Sequence, residues 1–183
     1  MLDANAPRGL DNLNRPTGVI SEAAELMADA FGAEKAYFLT GGTTMGILSM
    51  IMSVCRAKEK IILPRNVHKS AINALILSGA VPIFVKPDID NELGIANHMA
   101  FKDVEKAILE NPDAKGVLVI NPTYFGVTSD LKRIVDLAHE KEMMVLVDEA
   151  HGSHFPFSDL LPIGSMEAGA DMGSCSLHKT VGS

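Results

Sequence analysis

From Pro16 onward, short runs of adjacent apolar residues alternate with stretches in which apolar residues recur every three or four positions. Val19/Ile20, Ala23, Leu26/Met27 and Ala30/Phe31 predict a helix that Gly32 stops. Ala36-Tyr37-Phe38-Leu39 predicts a strand running into Thr40-Gly41-Gly42-Thr43-Thr44-Met45-Gly46. A second helix follows, Ile47 to Arg56, apolar nearly all round and so expected to be buried on more than one side.

The same unit recurs. Strands are predicted at Lys60–Leu63, Val81–Val85, Gly116–Ile120 and Met144–Val147, and a final one leads from Asp171 into Lys179. Between them lie helices from Val67 to Leu77, from Phe101 to just before Pro112, and around Leu131, Ile134, Val135 and Ala138, where Asp130 is the expected cap. Another short helix is expected near Met166. Continuous β-branched runs separated by helices imply an α/β fold: a mostly parallel sheet with helices on both faces, in three layers. Residues 1–15, polar and without period, read as an irregular N-terminal arm. Residues 16–183, with no linker, read as one domain.

Composition narrows the function classes. The chain has 183 residues, 47% of them hydrophobic, and a formal charge of −7, enough for one domain with a substantial core. No Lys/Arg cluster is interleaved with aromatics, which argues against a nucleic-acid groove or an anionic membrane surface. No basic-then-apolar leader opens the chain, and its longest mainly apolar segment is too short for a bilayer. Cys55 and Cys175, in apolar runs without a CxxC neighbour, read as buried free thiols of a cytoplasmic protein.

Chemistry-bearing residues gather where predicted strands end, the side on which open α/β sheets bind ligands. Gly41 to Thr44 follow the first strand, Arg65, Asn66 and His68 the second, Asn121 and Thr123 the fourth. Asp148 and His151 follow the fifth, and Ser176, His178 and Lys179 the last. The glycines and threonines opening a helix suit a phosphate, or serve only as a helix cap. Asp148, after four apolar residues, needs a cation: a protonated pyridine nitrogen, a metal or a basic side chain. Glu149 is expected to point outward to solvent. His68 either lies against a planar ring or caps a helix, and His98 and His139 read as solvated surface. Lys179 is a candidate Schiff-base amine.

Two rival patterns are weaker. Asp148-Glu149-Ala150-His151 looks like a helicase nucleotide motif, and Gly173 to Thr180 approaches a P-loop. His178 occupies the place of that loop's second glycine, however, and the order of the two motifs is reversed. A metal site from Asp148, His151 and His154 would need helical spacing that Gly152 disfavours, so no metal is expected.

Taken together, Gly42-Thr43-Thr44, Arg65-Asn66-Val67-His68-Lys69-Ser70, Asn121-Pro122-Thr123-Tyr124, Asp148-Glu149-Ala150-His151-Gly152 and Ser176-Leu177-His178-Lys179-Thr180 resemble the ornithine/lysine/arginine decarboxylase family. These are pyridoxal-phosphate (PLP) enzymes of fold type I, with an aspartate aminotransferase-like large domain. The resemblance runs in the family's order over almost the whole chain. It implies that Lys179 carries the cofactor as an internal aldimine, Asp148 pairs with the pyridinium, His68 stacks on the ring and Ala150 packs beneath it. Thr43, Thr44, the Met45 backbone, Ser176 and His178 would hold the phosphate, with His151 also at the cofactor. Met45 stands where many relatives have a hydroxyl residue, and Leu177 where a Thr is common.

By the same resemblance the activity is decarboxylation of a basic amino acid, by a homodimer or larger oligomer. An aminotransferase or another fold-type-I lyase is the enzyme alternative. Family members are far longer, so the chain is expected to be an incomplete large domain, inactive alone. A fragment that only binds cofactor or a partner subunit is the non-catalytic alternative. In the family's topology the Ala36–Leu39 strand would lose one neighbour and lie apart from the other five.

Overall fold

Five of the apolar runs pair side by side, all parallel, in the order β2-β1-β5-β6-β7. They are β1 (Lys60–Pro64), β2 (Val81–Val85), β5 (Gly116–Ile120), β6 (Met144–Glu149) and β7 (Met172–Cys175). A hairpin of β3 (Ile89–Asp90) and β4 (Ile95–Ala96) lies within the polar stretch after β2. The computed structural model describes residues 11–181, which fall into two compact units divided after Thr40.

In the first unit, helix α1 spans Val19–Phe31, and Gly32 closes it in the left-handed region at φ 66°. Its N-cap, Gly18, has no side chain to offer, and Asp11 supplies the acceptor instead. The Asp11 carboxylate takes the N–H groups of Thr17, Gly18 and Ile20 at 2.9, 3.0 and 2.8 Å. These donors, Thr17 foremost, hold its carboxyl down to about 2. Of the expected arm, residues 1–10 lie outside the described residues, and Asn12 to Arg15 form a turn. The strand expected at Ala36–Leu39 is not formed. Extended backbone becomes a strand only by pairing, and this segment joins neither sheet; Tyr37 is exposed.

In the second unit, α2 (Gly42–Val54) and α3 (Lys69–Ser78) cover one face of the sheet. There Ile47, Met50 and Ile51 of α2 and Ala71, Ala74 and Leu75 of α3 meet Ile61, Leu63, Leu118 and Leu146. The other face buries Ile62, Val117, Val119, Val145 and Val147 under α4 (Phe101–Glu110) and α5 (Leu131–Glu140). Alternate residues along each strand thus enter alternate cores. Travel along the sheet reverses between β2 and β5. Since β-α-β connections keep one hand, the reversal moves the covering helices to the opposite face.

Several boundaries differ from the sequence reading. Helix α2 starts at Gly42 rather than Ile47 and buries one face only, leaving Met45 and Met52 exposed. Asp130 precedes α5 without capping it and pairs with Arg133 instead. The segment around Met166 is a series of turns, and a short 3-10 helix lies at Phe155–Phe157. The last strand ends at Cys175, so Lys179 sits on a short helix, α6 (Leu177–Thr180). Cys55 is buried, whereas Cys175 is only partly so, and burial pushes both thiols up to about 11. No helix among the described residues is long and apolar enough to cross a membrane.

Glu149 also departs from expectation: it is 2% exposed and turned inward. Its carboxylate accepts the Ser165 backbone N–H at 2.8 Å and the Ser165 hydroxyl at 2.7 Å, tying the loop after β6 back to the sheet. Gly173 makes room for this, since a Cβ there would lie 2.5 Å from Ser165 Oγ. Burial raises the Glu149 carboxyl to about 7 from an ordinary 4.5, against the pull of both Ser165 contacts.

Two stability predictions follow from these contacts. Leu146→Ala, at a fully buried site, should cost about 2–5 kcal/mol in urea denaturation, whereas Leu160→Ala, 95% exposed, should stay within about 0.5 kcal/mol. Because the folded-state value of Glu149 lies above its unfolded one, its contribution is fully present below pH 4.5 and is lost as pH rises through about 7. Glu149→Gln, which keeps an acceptor for the N–H, should therefore flatten the decline in stability over that window.

Candidate active site

The candidate site lies at the carboxyl ends of β6 and β7. Their register sets Asp148 beside Ser174 and Glu149 beside Cys175, so the chains leaving both strands start level. After β6 the backbone turns at once: Ala150 N–H donates to Asp148 Oδ1 at 3.2 Å, and Gly152 N–H to the Glu149 carbonyl at 2.9 Å. Gly152 is needed for this turn. A Cβ there would sit 2.7 Å from Glu149 Cγ and 2.8 Å from Pro122 Cδ, where the loops after β5 and β6 touch. After β7, Ser176 is followed immediately by α6, which presents Lys179 on its exposed side.

This brings Lys179 Nζ to 3.2 Å from His151 Nε2. Asp148 shares their surroundings. Burial raises its carboxyl above the ordinary carboxylate range, while the Ala150 N–H and the charges of His68, Lys179 and His151 pull it back. His151 is held below its ordinary value by burial first and by the Lys179 ammonium second, with Asp148 opposing. The Tyr124 ring stands edge-on to His151, with centroids 5.5 Å apart. A cleft of about 380 Å³ opens beside them, with walls that include Tyr124, His151, Phe155 and Leu161.

His68, His151 and Lys179 thus all come within electrostatic reach of Asp148, with Ala150 buried at the turn. His68 also caps α3, its Nδ1 accepting the Ser70 N–H at 3.2 Å, so the capping reading of this residue holds. Ser176 is buried, and its hydroxyl meets His178 Nδ1 at 3.2 Å.

Thr43, Thr44 and Met45 occupy the first turn of α2, whose N-cap Gly41 makes no side-chain cap bond. At the helix's other end, Ser53 Oγ lies 3.8 Å from Met172 Sδ, at the start of β7. The N-terminus of α2 therefore points toward the carboxyl end of the sheet, where Ser176 lies. Among the described residues, no hydrogen bond links these three to Asp148 or Lys179.

The metal reading finds no support: His151 turns to Lys179, His154 packs edge-on against Phe155, and among the described residues no three His, Cys, Asp or Glu side chains form a metal-binding group. His98, expected at the surface, is partly buried and lines a small recess with Asn66, Asn97 and Ser129 at the ends of β1 and β5. Tyr124 had no role in the sequence reading. Its place beside a strand-end Asn-Pro-Thr was the available signal, but contact with His151 depends on two loops meeting.

Comparison with known proteins gives the family and the fold. The model of the Orn/Lys/Arg decarboxylase major domain matches residues 2–183. An arginine decarboxylase of Bacillus subtilis is 55% identical over 95% of this chain and 36% of its own length. One from Halalkalibacterium halodurans is 54% identical over 95% of this chain and 35% of its own. The chain thus spans about a third of the length of these relatives. Among solved structures, a pyridoxal-5'-phosphate-dependent protein from Escherichia coli superposes with a TM-score of 0.69 at 17% identity, over 93% of this chain and 42% of that one. Its likeness is one of fold. By its sequence, the chain belongs to the Orn/Lys/Arg decarboxylase family.

Proposed function

We propose that this chain forms the cofactor-binding part of a PLP-dependent decarboxylase acting on a basic amino acid, with arginine the first substrate to test. The observation that carries the reading is the convergence of one amine, one mostly buried carboxylate and one imidazole where β6 and β7 end. The names of the relatives at 54–55% identity support arginine over lysine or ornithine.

The residues fit the cofactor on their own chemistry. Asp148 has a single backbone donor for two carboxylate oxygens and is raised by burial, so a cationic ring nitrogen would satisfy it. The open first turn of α2, with Thr43, Thr44 and the Met45 N–H, and the buried Ser176 hydroxyl suit a phosphate. His68 and Ala150 would bound the ring. When bound, PLP supplies an aldehyde for amines and an electron sink for the pair released as carbon dioxide leaves.

The protein's part is positional and electrostatic. Asp148 keeps a proton on the ring nitrogen, and Lys179 offers the amine that anchors the cofactor. Lys179 or His151, in contact with each other, can hand a proton to the substrate's α-carbon afterwards.

With added PLP and borohydride, the wild-type chain should acquire a stable adduct at Lys179, read by mass spectrometry. Lys179→Ala should lose it, and an undiminished adduct in that variant would refute the role given to this lysine. In the protein that carries this chain, Asp148→Asn should lower arginine decarboxylation by several orders of magnitude while leaving the adduct in place.

A further inference from the structure

Lys179 is presented by a weakly built element. Helix α6 has four residues, none of them buried; at its ends Lys179 N–H meets the Ser176 carbonyl at 3.3 Å and Val181 N–H the Leu177 carbonyl at 3.0 Å. Four residues are far below the length at which a helix holds itself together. The β6–β7 ladder cannot restrain it, because pairing ends at Glu149 and Cys175. Yet the amine must stay near His151, which stands on the other strand's loop.

The restraint comes from Ser153. This residue is fully buried on the loop after β6, two positions beyond His151. Its hydroxyl lies 3.3 Å from the Ser176 carbonyl and in short contact with the Thr180 hydroxyl. One hydroxyl can serve both partners: its hydrogen goes to the carbonyl and its lone pair receives the Thr180 O–H. Ser176 is the N-cap of α6 and Thr180 its last residue, so one side chain grips both ends of the turn that carries Lys179.

We propose that Ser153 is a positioning residue: it joins the loop after β6, which bears His151, to the turn bearing Lys179, and so sets the distance between amine and imidazole. Its catalytic meaning rests on the reading of Lys179 as the cofactor-anchoring amine, but the geometry can be tested without cofactor. The groups acting on His151 are Lys179 from α6 and Asp148 from β6, besides burial. The Lys179 ammonium holds His151 low, so losing the grip should let the imidazole titrate higher. Because burial also holds His151 low, the effect is assigned to Lys179 by a double variant: Ser153→Ala should raise the midpoint in the wild-type background but not in Lys179→Met.

The experiment is an NMR titration of His151 in the cofactor-free chain, for wild type, Ser153→Ala, Thr180→Val, Lys179→Met and the double variant. Thr180 is exposed and Val is close to its shape, so that variant tests the grip even if Ser153→Ala fails to fold. Lys179→Met should raise the His151 midpoint and define the full effect. Ser153→Ala and Thr180→Val should each recover part of that rise. A wild-type midpoint in a folded Ser153→Ala, or in Thr180→Val, would overturn the proposal. Failure of the wild-type chain to bind PLP would sink the decarboxylase reading and leave this result standing.

Discussion

A carboxylate at the end of a buried parallel strand is the constraint around which the second unit is arranged. Val145, Leu146 and Val147 take Asp148 to the edge of the core, where its charge is mostly withdrawn from water. Such a group stays ionised only if positive charge and donors meet it. The structure brings them from three directions: the Ala150 N–H from its own turn, His68 from the start of α3, and Lys179 with His151 from the ends of β7 and β6. None of these alone balances the burial, which still holds the carboxyl above its ordinary range. A further cation placed against it would be favourable, and that need gives the site its chemical sense.

The neighbouring carboxylate has the opposite fate. Glu149 turns to the other side of the strand and is spent on architecture, gripping Ser165 and with it the loop that returns to β7. Two acids adjacent in sequence therefore do different work because the pleat sends them to different sides. Ser153 continues the same theme beyond the sheet. Where ladder bonds stop, side-chain hydroxyls and carboxylates tie the two exits together.

What could be read in the sequence was local. The strands at Lys60, Val81, Gly116 and Met144 and the helices ended by Gly32 and Gly79 follow from apolar spacing and from glycine's access to positive φ. The grouping of Asp148, His151 and Lys179 was legible too, because strand ends of a parallel sheet share one rim. The misses are non-local. Ala36–Leu39 has strand composition but no partner, and partners are not written in the segment itself. Glu149 looked solvent-facing because the loop that buries it returns only at Ser165. The apolar residues of α2 suggested burial on more than one side, yet Met45 and Met52 remain exposed. Spacing alone left open whether a pyridinium, a metal or a basic side chain meets Asp148, and the pyridinium proposed above rests on the family likeness.

The most direct test of that pairing is NMR of PLP isotopically labelled at its ring nitrogen and bound to the chain. With Asp148 paired to it, the nitrogen should remain protonated through neutral and mildly alkaline pH, and Asp148→Asn should release the proton. A ring nitrogen that is unprotonated at neutral pH in the wild-type chain, or one indifferent to Asp148→Asn, would contradict the account.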